Sequence, residues 1–117
     1  MKIEVRFRDL EPSEVLKSHA VRLVEMSLDR FSDQLTQVVV QLSDVNGPKG
    51  GLDKRCQLTL WGPTFGSLTI HELSGDVASA IDAACERASR SVAREINRWL
   101  HDRRSARLIG RGFLLKI

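Results

Sequence analysis

The chain has 117 residues, enough for one domain and too few for two of ordinary size. Hydrophobic residues make up 42% and charged residues 28%, with 8 glycines and 3 prolines, which excludes collagenous, disordered and membrane-embedded classes. The formal charge of +3 is unevenly spread: from Glu86 to Ile117 nine bases face three acids, so that segment is strongly basic and the rest of the chain is net acidic.

From Lys2 to Arg8 charges interrupt every apolar residue, which leaves no signal-peptide core, and nothing in the chain approaches the roughly 18 apolar residues of a membrane span. A cytoplasmic location is expected. Ile3, Val5 and Phe7 alternate with Glu4, Arg6 and Arg8, the period of a half-buried strand. Pro12 is placed as the first residue of a helix reaching about Phe31, because Val15, Leu16, Ala20, Leu23, Val24, Leu28 and Phe31 recur at spacings of three and four. Gln37 to Leu42 and Arg55 to Trp61 alternate and are rich in β-formers, as is Ser67 to His71 after the turn at residues 62–66. Gly75-Asp76 reads as a turn and helix N-cap, and a helical period then runs without Pro or Gly from Val77 to about Arg104. Residues 105–117 are expected to form a basic and apolar tail, either frayed or a short strand at a sheet edge.

The element order is β-α-β-β-β-α. Four amphipathic strands need one face covered and two amphipathic helices can cover it, so the expected class is α+β, a two-layer sandwich with both helices on one face of a four-stranded sheet. A helix joins strands one and two, so they can pair in parallel through a right-handed crossover, and the other pairs form a meander. Cys56 and Cys85 fall on apolar faces and are expected to be unbridged.

In the second helix, Ile81, Ala84, Cys85, Ala88, Val92, Ile96 and Trp99 make one stripe, and Arg87, Arg90, Arg94, Arg98 and His101 make a second nearly opposite. A line of positive charge about 20 Å long results. Affinity for polyphosphates grows with each locally neutralised charge, and the arginine fork suits phosphate, so this stripe is the leading candidate for nucleic-acid binding. A solvated helix face is the alternative. Lys17 and Arg22 are candidates to extend the basic surface onto the first helix, unless Glu25 and Asp29 pair with Arg22. Lys49, Lys54 and Arg55 add candidates at the glycine-rich connection between strands two and three, which lacks the Gly-Lys-Ser/Thr ending of a phosphate-binding loop. Arg6, Arg8, Arg55, Trp61, Thr69 and His71 should project from the helix-free sheet face, where Trp61 either stacks on a base or partner or packs across strands. His19, His71 and His101 stand far apart without metal-ligand spacing, and no nucleophile elbow or catalytic carboxylate pair is present. No enzyme activity, metal or cofactor is expected.

The connection Asp44-Val45-Asn46-Gly47-Pro48-Lys49-Gly50-Gly51-Leu52-Asp53-Lys54-Arg55-Cys56 resembles that between the second and third strands in one branch of the ribosome hibernation promoting factor and protein Y family, also labelled sigma-54 modulation proteins. Asp76-Val77-Ala78-Ser79-Ala80-Ile81-Asp82, followed by the arginines, resembles the Ala-Ile-Asp opening of that family's second helix. The similarity spans about residues 1–104, read as one hibernation-factor-like domain followed by the 105–117 tail. It implies a non-catalytic, translation-inhibiting protein that binds the small ribosomal subunit and its rRNA near the decoding region during stress or stationary phase, through the basic residues named above. It is compatible with a homodimer without requiring one, and implies no membrane or small-molecule partner. Many members carry a Tyr at the position of Ala78, lysines around Leu23 and Met26, and a Lys/His cluster near Ala93 to Ile96, and this chain departs from all three. The competing reading is a generic double-stranded-RNA-binding module that does not require ribosomes.

Overall fold

The computed structural model describes residues 1–45 and 53–116, with side chains as far as Asp102. Its strands are β1 (Lys2–Arg8), β2 (Gln37–Asp44), β3 (Lys54–Gly62) and β4 (Gly66–Ser74), and its helices are α1 (Glu14–Leu28) and α2 (Val77–Lys116). A 3-10 turn, Asp29–Gln34, follows α1. The sheet order is β1-β2-β3-β4. β1 and β2 pair in parallel, while β2 with β3 and β3 with β4 pair antiparallel, as expected of one helical crossover followed by a meander.

One face of this sheet and both helices make a single core. Val38, Val40, Leu42, Cys56, Leu58, Leu60 and Ile70 project from the strands against Ala20, Val24 and Leu28 of α1 and Ile81, Ala84, Cys85, Ala88, Val92 and Ile96 of α2. The period-2 and period-3.6 patterns therefore converge on one layer. Ile3, Val5 and Phe7, expected to be buried, pack against this core but are only half-buried. β1 is an edge strand, with a neighbour on one side alone.

The helix boundaries correct the sequence reading in two places. Pro12 does not open α1: Ser13 is the N-cap, in an extended conformation, and its hydroxyl accepts from the Leu16 N–H at 3.2 Å. At the other end the α-helical path stops at Leu28, and the chain tightens into the 3-10 turn that carries Phe31 to the core edge. The second correction concerns α2, which continues as helix to Lys116 instead of ending near Arg104. Gly110 and Gly112 weaken a helix but remove no backbone donor, and no proline follows Pro63. The N-terminus of α2 is as expected, with Asp76 accepting from the Ser79 N–H and hydroxyl, both at 2.8 Å, which holds its carboxyl below the usual carboxylate range.

Two packing details yield expected results. Gly62 closes β3 against the 3-10 turn, and a methyl on its Cα would overlap the Gln34 carbonyl oxygen. Gly62→Ala should therefore destabilise by about 1–3 kcal/mol, read from urea denaturation midpoints. Cys56 and Cys85 are unbridged and almost inaccessible. Burial pushes both thiols up, that of Cys85 to about 12, so neither forms thiolate near neutral pH. In native protein both should resist Ellman's reagent and become reactive with urea unfolding. Rapid stoichiometric labelling of the folded chain would contradict this packing.

Candidate nucleic-acid interface

α2 buries its apolar stripe against β3 and β4, so its opposite face lies toward solvent. Arg87, Arg90, Arg94, Arg98 and His101 are all exposed along that face. The structure thus brings together the five stripe residues named from the sequence. Three of the four arginines have a carboxylate beside them. Arg87 pairs with Glu72 of β4 at 3.2 Å, Arg90 with Glu86 at 2.8 Å and Arg98 with Glu95 at 3.3 Å. Arg94 has no acidic partner among the described residues. Exposed pairs of this kind contribute little to stability, so a phosphate can replace the carboxylate at small cost.

Lys17 and Arg22 are exposed on α1, and neither has a carboxylate within ion-pair distance among the described residues. Arg22 is thus not paired with Glu25 or Asp29. α1 joins α2 through His19, whose Nε2 lies 3.0 Å from Asp82 Oδ1. Between the helices runs a shallow groove lined by Leu23, Met26, Ser27, Asp29, Arg30, Asp82, Cys85, Glu86, Ser89 and Arg90.

Arg30 is a cation that the sequence reading missed. Its guanidinium lies 4.6 Å from the Phe31 ring centroid and donates to Ser89 Oγ at 3.2 Å, which holds it in the groove that Arg90 also lines. Read as the last turn of a longer first helix, Arg30 gives no sign of this placement; the 3-10 turn creates it.

The strand two to three connection is different. Lys54 Nζ donates to Asp53 at 2.9 Å and Asp44 at 3.2 Å, and the two carboxylates hold the ammonium's pKa above its usual value. Its charge is locally compensated, and the Val45 N–H to Asp53 carbonyl bond of 2.8 Å closes the loop base beside it. Arg55 projects from the sheet face away from the helices, and Lys49 lies outside the described residues. The stripe on α2, with Arg30 in the groove that Arg90 lines, makes the larger group of candidate residues, while Lys17 and Arg22 lie exposed on α1 and Arg55 on the far sheet face. Among the described residues no cluster of three or more His, Cys, Asp or Glu could hold a metal ion, and no helix is long and apolar enough to cross a membrane.

Residues 3–99 match the model of the family described as sigma 54 modulation protein / S30EA ribosomal protein. Among solved structures, the protein Y N-terminal domain of Thermus thermophilus is similar with a TM-score of 0.67 and 27% identity, over 80% of this chain and 98% of that one. A ribosomal subunit interface protein from Coxiella burnetii is similar in fold, with a TM-score of 0.63 and 16% identity, over 80% of this chain and 96% of the other. No curated protein matches the chain.

Proposed function

The chain belongs to the sigma 54 modulation protein / S30EA ribosomal protein family, and on that premise we propose that it is a non-catalytic ribosome-associated factor that binds the rRNA of the small subunit near the decoding region. The observation that carries this reading is the line of exposed arginines on the solvent face of α2, set in a fold that the family shares. Arginine forks at spacings of three and four on one rigid helix present charge-assisted donors to successive backbone phosphates. Arg94 engages first, and Arg87, Arg90 and Arg98 exchange their carboxylate partners for phosphate. Arg30, Arg22, Lys17 and His101 widen the footprint. Lys54, compensated by two aspartates, contributes little.

Occupancy of the decoding region excludes messenger and transfer RNA, which makes the protein a translation inhibitor suited to stress or stationary phase, acting in the cytoplasm. Cosedimentation with purified small subunits at low salt, together with inhibition of a translation extract, tests the proposal. Stoichiometric pelleting and inhibition are expected. Equal retention by naked RNA duplexes of matched length would favour the generic double-stranded-RNA module instead.

A further inference from the structure

The sheet has a second face, on which no described element packs. Strand register arranges its side chains in four transverse rows: Lys2, Gln37, Trp61, Ser67; then Glu4, Val39, Thr59, Thr69; then Arg6, Gln41, Gln57, His71; then Arg8, Ser43, Arg55, Leu73. Of these sixteen positions four are cationic and only Glu4 is acidic, engaged by Arg6 at 3.0 and 3.2 Å. The face is therefore net positive by as much as the whole chain. On α2, by contrast, three of the four stripe arginines have carboxylate partners.

A solvated sheet face is ordinarily polar, so charge alone does not define a site. Two further features do. Trp61, the large aromatic of this face, is 37% exposed. In the last row Ser43 and Arg55 are cross-strand partners, Ser43 is only 3% exposed, and the buried Ser43 hydroxyl and Arg55 Nε both lack a hydrogen-bond partner among the described residues. Buried polar groups are seldom left unpaired, and an acceptor lodged between Arg8 and Arg55 would satisfy the Nε–H.

We propose that the open sheet face is a second polynucleotide surface, which takes single-stranded RNA with phosphate at the Arg8, Ser43 and Arg55 row and a base stacked on Trp61. The rows span about 20 Å of strand, enough for a few nucleotides. Single-stranded RNA fits better than duplex. A duplex keeps its bases stacked and paired, which hides the π-faces that Trp61 needs. This surface lies on the opposite side of the molecule from the arginine stripe and does not depend on it.

The test uses an oligouridylate of about ten nucleotides. In the Trp99→Phe protein Trp61 is the one tryptophan, and its emission should be quenched on adding the oligonucleotide at low salt. Anisotropy of a fluorescein-labelled oligouridylate with wild-type protein should return the same affinity without any substitution. Trp61→Ala should weaken binding about tenfold or more, and Arg8→Ala should lower the slope of log affinity against log salt by about 0.7. Arg90→Glu with Arg94→Glu, in the Trp99→Phe protein, should leave the quenching of Trp61 intact even where it lowers total oligouridylate binding, which separates this surface from the helix face. The proposal is overturned by absence of binding, by equal binding to duplex RNA, by indifference to both Trp61→Ala and Arg8→Ala, or by loss of Trp61 quenching in the helix variant. Absence of oligouridylate binding with subunit binding retained would overturn this proposal and leave the helix face as the RNA-binding surface.

Discussion

Replacing Arg90 and Arg94 by glutamate leaves the fold intact and lowers affinity for small ribosomal subunits by about a hundredfold or more. Each arginine that meets phosphate makes a charge-assisted hydrogen bond, and removing one costs about 1.5–3 kcal/mol of binding, so two lost contacts correspond to at least two orders of magnitude. Reversal of sign adds repulsion from the same phosphates. Both positions are exposed on α2, and substitutions at such places usually change stability by within about 0.5 kcal/mol. Glu86 sits one turn before position 90 and would meet a like charge there, a destabilising effect of a few tenths of a kcal/mol. Circular dichroism and thermal melting should therefore match wild type while cosedimentation fails. Unfolding of the variant would mean that these side chains support the helix; undiminished binding would move the interface off α2.

Leu58→Ala should strike the fold at its centre. Leu58 is fully buried in the central strand β3, opposite Val40 on one side and Ile70 on the other. Truncation removes its transfer free energy and leaves a cavity that close-packed neighbours fill only partly, for a loss of about 3 kcal/mol. For a chain of this size that corresponds to a fall of about 12 °C in melting temperature. Ile3→Ala, at the half-buried edge, should cost distinctly less. Similar losses at both sites would contradict a core centred between β3 and the two helices.

The contrast between Leu58 and Ile3 also marks what can be read from the sequence. Alternation tells which side of each strand faces the core, because a strand's side-chain period is fixed at two. It cannot tell an edge strand from a central one, and so Ile3, Val5 and Phe7 look as buried in the pattern as Leu58 does. The strand ends escape the pattern for a related reason. Pairing carries β2 to Asp44 and β4 to Ser74 through cross-strand partners such as Asp44 with Lys54 and Ser74 with Lys54, beyond the apolar alternation that marks their middles.

The candidate interface shows the same division. A stripe of arginines at helical spacing is a local property, and its exposure follows from the apolar stripe opposite. The Glu86 and Glu95 pairs are local too. Glu72 reaches Arg87 from β4 only because α2 folds back over that strand, and Arg30 enters the groove only because α1 ends at Leu28. Of the aspartates that compensate Lys54, Asp53 is its neighbour in the chain, whereas Asp44 reaches it only through the pairing of β2 with β3.

The salt dependence of small-subunit binding decides whether α2 carries an rRNA interface. With the four stripe arginines alone meeting phosphate, log affinity should fall against log salt with a slope of about −3, and more steeply where Arg30, Arg22 and Lys17 also engage, given roughly 0.7–0.9 per neutralised phosphate. For the Arg90→Glu, Arg94→Glu protein, measured at lower salt where binding survives, the slope should be shallower by at least about 1.4. Wild-type binding that is indifferent to salt, or the same slope in both proteins, would contradict an rRNA interface on α2.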